Sequence, residues 1–347
     1  MAAHYRAHAR VINISTLHKR EERKLVKRSL VLSLILALVL SFGMVAAAAP
    51  KSVMVTDVGG LGDQSFNDAA WRGLGRAKAE LGTEIGVVES SMMTDYEPNL
   101  SNLAESGADL IWAVGFLMTD AVENIAPLYP QIKFGLIDAV VDQPNVLSFT
   151  FKDNEASYLA GVFAALWSKT GKIGFIGGMD VPVIERFEAG FRAGVMDTNP
   201  DAQILIGYAG NFNDPGKGKE LALTQYNQGA DIIYHAAGAT GLGLIEAAKD
   251  TGKFAIGVDS DQTVLDPQHV VASMLKKVDN AVFYGVEAIV NNEFVATHLE
   301  LGLAEGGVGL AYSSGVEIPA SVQTAVQAAN DAIVSGEIVV PSTRAEL

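Results

Sequence analysis

Asp57, Asp138 and Asp259 each close a short apolar run, at residues 53–57, 133–138 and 253–259. Runs rich in Val, Ile and Leu without polar alternation predict strands covered on both faces, and therefore parallel sheets. Carboxylates at the carboxyl ends of parallel strands lie at the rim where open α/β sheets take up ligands. Helix capping or a solvated loop charge is the alternative reading for Asp138 and Asp259. Asp57 stands in the most informative stretch, residues 53–81. There a strand is followed by a loop holding Gly59, Gly60, Gly62 and Asp63, and then by a helix opening at Ser65. Ser65 and Asp68 have the spacing of a capping box, with Asp in place of Glu. Phe66, in the first helical turn, is expected to overhang the crevice into which Asp57 points.

The loop is not a phosphate cradle. It meets neither G-x-G-x-x-G nor G-x-x-x-x-G-K-[ST], and Asp57, Asp63 and Asp68 give it the wrong sign for an anion. The stretch from Gly210 to Lys217 also misses, with five residues between its glycines and Gly218 where Ser or Thr is needed. Such carboxylates suit hydroxyl and amine donors such as a sugar diol, although glycines here could simply make a tight turn. Phe212 stands in a polar turn, either as a small packing contact or as a stacking surface; opposite Phe66 across a cleft it would hold a flat ring. Gly238 lets the backbone approach a ligand, and Thr240 is a helix N-cap or a ligand donor. Lys276 is either an ordinary ion-pair partner or a donor to a ligand hydroxyl while paired with Asp259. Catalysis finds little support. Beyond residue 49 the histidines are His235, His269 and His298, widely spaced and without HExxH, so neither a metal nor another cofactor is implied. There is no G-x-S-x-G elbow, and no carboxylate spacing fixes a hydrolytic acid/base pair.

Composition narrows the partners. Eight of the 25 Lys+Arg and two of the 40 Asp+Glu fall in residues 1–49, so residues 50–347 carry 17 basic and 38 acidic side chains, a formal charge of about −21. Nucleic-acid binding is excluded by that charge. Cysteine is absent, which removes disulfides, thiolate metal sites and cysteine nucleophiles. Residues 1–28 are basic, residues 30–45 apolar, and Ala46 to Ala49 follow. This order predicts a secretory signal peptide cleaved near Ala47–Ala49, the alternative being an uncleaved membrane anchor.

Two βαβ series must position these residues. Strands are expected at 53–57, 84–89, 109–114, 133–138 and 146–150, then at 172–177, 203–209, 232–236, 253–259 and 271–275. Helices are expected at 65–81, 96–106 and 119–128, then at 183–197, 214–229 and 240–250. A helix at 154–169 should feed the second series; one at 278–291 should pack back on the first, and a last one should run from 321 to about 335. Two doubly wound domains fit better than one large sheet, with an eight-stranded barrel as the alternative. Repeated crossing between domains places a hinge beside a cleft, the arrangement of a closing binding protein.

The motif from Thr56 to Asn67, TDVGGLGDQSFN, followed by Trp71-Arg72-Gly73, resembles the opening of the basic membrane protein family, the solute-binding lipoproteins of ABC transporters that include purine nucleoside receptor A. The resemblance continues through Val114-Gly115-Phe116, Phe151 to Glu155, Phe212 to Glu220, Ala237 to Gly241 and Ser273 to Asp279, covering nearly all of residues 53–340. It implies a type I periplasmic-binding fold, two doubly wound parallel-sheet lobes joined by three hinge crossovers. The lobes would be residues 50–152 with about 279–312, and 153–278 with about 313–347. It also implies a monomer that captures a nucleoside, a purine nucleoside in the first place, and hands it to an ABC permease. The base would be sandwiched by Phe66 and Phe212, the ribose held by Asp57, Asp259 and Lys276, and the base edge read by Asp138. Family members carry a lipid-bearing cysteine that this chain lacks, so it is expected free in the periplasm or secreted. A sugar-binding protein is the alternative within the class, and a nucleoside hydrolase the alternative outside it.

Overall fold

The computed structural model describes residues 49–347; the signal-peptide reading, made on residues 1–49, lies outside the described residues save for Ala49. The apolar runs become strands close to their expected limits. β1 (Lys51–Thr56), α1 (Phe66–Leu81), β2 (Glu84–Val88), α2 (Tyr96–Glu105), β3 (Leu110–Val114), α3 (Thr119–Ile125), β4 (Lys133–Ile137) and β5 (Val146–Phe151) form the first series. The second holds α4 (Asp153–Trp167), β6 (Lys172–Gly177), α5 (Pro182–Thr198), β7 (Gln203–Tyr208), α6 (Pro215–Asn227), β8 (Ile232–Ala236), α7 (Gly241–Thr251), β9 (Phe254–Gly257) and β10 (Val270–Lys276). α8 (Val278–Val290), β11 (His298–Leu301), β12 (Val308–Tyr312) and α9 (Ala320–Val334) follow.

Two six-stranded sheets result, in the orders β11-β5-β4-β3-β1-β2 and β12-β10-β9-β8-β6-β7. Every pairing in the first is parallel. The second is parallel except for β12, which runs antiparallel to β10. Among the described residues no eight-stranded barrel forms. The central strands β3 and β8 are buried at every residue, as both-face coverage by helices requires.

The chain passes between the sheets three times: from β5 into α4, from β10 into α8, and from β11 into β12. α8 packs on α1 in the first lobe, and α9 packs on α4 in the second. The third crossing lies at residues 302–307 and not near 312. β12 already belongs to the second sheet, where its backbone completes the ladder along β10. β11 and β12 were not foreseen as strands. Each is short, lies at a sheet edge and is largely half-buried or exposed; β11, His-Leu-Glu-Leu, has only two apolar residues, and β12, Val-Gly-Leu-Ala-Tyr, is apolar but interrupted by a glycine.

Helix contacts within the second lobe are unusually close. A Cβ on Gly161 of α4 would sit 2.3 Å from the Phe191 carbonyl oxygen of α5, and one on Gly194 of α5 would sit 2.1 Å from the Tyr158 carbonyl oxygen of α4. These glycines let two backbones approach to a distance that no side chain allows. Gly75, exposed on α1, has no such neighbour within 4 Å. Gly194→Ala should therefore destabilise the fold by about 1–3 kcal/mol through overpacking. Gly75→Ala should stabilise it by about 0.5–1 kcal/mol through helix propensity. Urea unfolding of the two variants beside the native chain checks both signs.

Candidate ligand-binding site

A cavity lies between the carboxyl ends of the two sheets, with about 530 Å³ of atom-free space counting the part open to solvent. Asp57, Phe66 and Asp138 from the first lobe line it, together with Phe212, Gly238 and Asp259 from the second and Lys276 at the second crossing. Seven of the eight residues singled out in the sequence thus converge on one space.

The eighth, Thr240, does not. It is buried and absent from the lining. Its hydroxyl accepts from the Asp214 amide at 2.9 Å and lies 3.1 Å from Asn211 Oδ1, while its own amide donates to the Phe212 carbonyl at 3.1 Å. Thr240 therefore holds the turn that carries Phe212, because the turn's backbone groups face the start of α7. Gly178 supports the Phe212 ring from beneath, where a Cβ would lie 2.3 Å from it.

The capping of α1 also differs from the expected box. Asp63, buried to 1% exposure, accepts from the amides of Ser65, Asn67 and Asp68 at 2.9, 2.8 and 3.1 Å. A carboxylate matches the unpaired amides and positive end of a helix better than a hydroxyl. Asp68 takes the Gly62 and Gln64 amides instead. Ser65 is freed to reach across the cleft, where its hydroxyl donates to Asp259 Oδ2 at 2.5 Å. Further bonds cross beside it: Ser260 Oγ donates to the Ser65 carbonyl at 2.8 Å, Gln262 Nε2 to the Gln64 carbonyl at 3.2 Å, and Asn213 Nδ2 to the Val58 carbonyl at 3.0 Å. The two lobes meet directly in a closed arrangement.

Lys276 is paired with Asp138 and Asp153, not hydrogen-bonded to Asp259. Its Nζ lies 2.7 Å from each carboxylate oxygen of Asp138 and 3.2 Å from Asp153 Oδ1. The rings of Phe66, Phe151 and Phe187 surround the ammonium, with centroids 5.3, 5.1 and 5.3 Å away. Burial would push the ammonium pKa down, but the charges of Asp138, Asp153 and Asp259 reverse this and raise it. Lys276 therefore stays charged. Asp138 and Asp259 both hold left-handed backbone, φ 72° and 60°, which is uncommon outside glycine and tolerated best by Asn and Asp. The turn aims each carboxylate back into the cavity.

Sequence reading missed Asn67, Asp153, Phe187 and Ser65 as parts of the site. Asn67 Nδ2 donates to Asp57 Oδ1 at 2.9 Å, beside the Gly59 amide at 2.8 Å. Phe187, with Val183 and Ile184, forms the apolar wall from α5, and nothing marks it apart from any core position of an amphipathic helix. Asp153 was visible within the Phe151–Glu155 motif, but its role depends on a lysine 123 positions away. His235 is a core residue. Its Nε2 donates to Gln262 Oε1 at 2.9 Å, and burial lowers its pKa to about 4, which keeps it neutral. Among the described residues no cluster of His, Asp and Glu is disposed to hold a metal.

Burial raises the Asp57 pKa to about 6 against the pull of Asn67 and the Gly59 amide, and raises Asp259 to about 7 against the pull of Lys276 and Ser65. A folded pKa above the unfolded value of 3.8 means that folding takes up protons, so both groups cost stability as pH rises from about 4 towards 7. For Asp259 the cost at pH 8 is on the order of 4 kcal/mol at most. Asp259→Asn keeps an acceptor for Ser65 and removes the titration. It should unfold at higher urea than the native chain at pH 8, with the gap closing towards pH 5. A gap independent of pH would show that Asp259 is not proton-retaining.

Comparison with known proteins places the chain. The family model for PnrA-like ABC transporter substrate-binding proteins matches residues 50–344. A CD4+ T-cell-stimulating antigen of Listeria monocytogenes is 40% identical over 311 residues, covering 83% of this chain and 87% of that protein. The ABC transporter nucleoside-binding protein BmpA of Lactococcus lactis is 37% identical over 315 residues, covering 84% and 89%. Among solved structures, an ABC transporter solute-binding protein from Aeropyrum pernix superposes with a TM-score of 0.79 at 32% identity, covering 85% of this chain and 95% of that one.

Proposed function

The chain belongs to the PnrA-like family of ABC transporter substrate-binding proteins, and we propose that it captures a nucleoside outside the cytoplasm and hands it, unchanged, to a membrane permease. The observation that carries this reading is the cavity's composition. Two aromatic rings, Phe66 and Phe212, enter one small space from opposite lobes among Asp57, Asp138, Asp259 and Lys276. A flat base fits between rings, and a ribose diol offers hydroxyl donors to the carboxylates. Asp57 and Asp259 are the groups suited to the ribose, with Lys276 as a further donor. Asp138 is suited to the base edge while it also anchors Lys276. Phosphate is disfavoured, because Asp57, Asp63, Asp138 and Asp259 outnumber the one lysine on the lining.

Capture works through closure. A ligand touching both lobes binds the closed state better than the open one and shifts the population by that difference. The cross-cleft bonds from Ser65, Ser260, Gln262 and Asn213 are few and add only modestly. The ligand must therefore supply much of the closing free energy, which makes closure a report of occupancy to the permease. The neutral His235 is buried beneath α7 and does not line the cavity.

A thermal-shift series with purine nucleosides, nucleoside monophosphates, free bases and ribose tests the reading. A nucleoside should raise the melting temperature in proportion to RT ln(1 + [L]/Kd), and its monophosphate should not. Phe66→Ala should weaken nucleoside binding about 5- to 150-fold, the range expected for losing one stacked aromatic, and should weaken ribose far less. A shift with ribose but none with any nucleoside would overturn the assignment, as would release of free base on incubation.

A further inference from the structure

Beyond α9 the chain runs as a strap across the second lobe. The buried Asn154 Nδ2 donates to the Val340 carbonyl at 2.9 Å, which fixes the strap to the start of α4. Four residues on, Arg344 spreads over three carboxylates. Its Nη2 lies 2.6 Å from Asp180 Oδ1, its amide and Nε lie 2.9 and 3.2 Å from Glu185 Oε1, and Nη1 lies 3.7 Å from Glu188 Oε2. Glu188 is 2% exposed and also accepts from Tyr208 OH at 2.5 Å and Arg192 Nη1 at 3.0 Å.

These carboxylates belong to the elements that form the second lobe's side of the ligand cavity. Glu185 and Glu188 lie on α5, whose Val183, Ile184 and Phe187 line the cavity from another face of the same turns. Asp180 lies in the β6–α5 loop, two residues from the Gly178 that underlies the Phe212 ring. We propose that Arg344 is a positioning residue for the ligand cavity: by clamping Asp180, Glu185 and Glu188 from outside, it sets α5 and the β6–α5 loop against the ligand without touching it. The inference rests on the cavity being the nucleoside site.

Buried Val340 and half-buried Ile338 pack against the core, and beyond Val340 the strap is held by polar contacts. Open grooves flank it, one of about 880 Å³ beside Ile338 and Ser342, the other of about 1220 Å³ beside Pro341 and Glu346, each counting space open to solvent. Val339 is 87% exposed. The Arg344 and Asp180 side chains are themselves 37% and 55% exposed, so salt screens their attraction. A clamp of this kind makes the affinity for an uncharged ligand depend on ionic strength, which neither stacking nor neutral hydrogen bonds would do.

The experiment is isothermal titration with inosine at low and high NaCl, on the native chain, Arg344→Gln and Arg344→Lys. Raising NaCl about tenfold should weaken native binding about two- to fivefold, the worth of one or two screened pairs. Arg344→Gln should bind that much more weakly already at low salt and lose the salt response. Arg344→Lys, which keeps the charge but not the fork, should fall between them. Amide hydrogen exchange without ligand should rise across the first turns of α5 in Arg344→Gln. If the native chain binds inosine and Arg344→Gln matches its affinity at both salt concentrations, the inference is overturned, even if the melting temperature falls. If the native chain binds no nucleoside, the functional reading fails separately, and the exchange measurement decides the clamp: unchanged α5 exchange overturns it and faster exchange supports it.

Discussion

A buried ammonium with too few partners would be intolerable, and the architecture around Lys276 follows from that constraint. The residue is 2% exposed, and leaving such a charge unpaired costs several kcal/mol. Its partners come from different stretches of chain: Asp138 closes β4 in the first lobe, and Asp153 opens α4 just after the first crossing. Lys276 itself ends β10 at the second crossing. The third crossing is tied in nearby, where the Leu303 amide donates to Glu155 Oε2 at 2.8 Å. A single charge thus requires the hinge segments to come together, and the ligand cavity opens against that junction. Phe66, Phe151 and Phe187 complete the enclosure, excluding water from an ion cluster that would otherwise be partly hydrated.

The same economy of partners shapes the first jaw. The amides at the start of α1 need acceptors, and Asp63 accepts three of them. Because Asp63 caps the helix, Ser65 can face the other lobe and bond Asp259. Helix capping and lobe closure are therefore linked through two neighbouring side chains, and a local need of the backbone is met in a way that leaves a long-range contact free.

The sequence made legible whatever depends on local pattern. Unbroken apolar runs announced parallel strands, and the carboxylates at their ends announced the rim, so Asp57, Asp138 and Asp259 were found with the cavity. The first and third crossovers were less equally visible: β5 to α4 has a clear strand and helix, whereas β11 and β12 are short edge strands, one alternating over only four residues and the other interrupted by a glycine. Choices between similar partners were not legible at all. Nothing local tells whether Lys276 pairs with Asp138 or Asp259, since each aspartate ends a strand in left-handed backbone. Thr240 was legible as a helix N-cap or a ligand donor, but its task of holding the Phe212 turn was not, because that task spans two loops. The Arg344 clamp depends on carboxylates about 160 residues earlier, and in sequence it is one arginine in a polar tail.

Asp138 and Asp259 show how near-equivalent positions acquire different chemistry. Both carry the left-handed strain that functional turns retain, on the order of 1 kcal/mol or more each, and both project into the same cavity from opposite lobes. Asp138 meets an ammonium, which balances its charge. Asp259 meets mainly the Ser65 hydroxyl, a neutral donor, and burial then holds its proton up to about pH 7. One jaw therefore presents a countered charge while the other presents a carboxyl that can donate or accept. Such a pair can meet a ligand bearing both hydroxyl donors and ring-nitrogen acceptors, and neither aspartate alone could do so. The distinction arises entirely from which side chain the far segment of the fold places opposite each one.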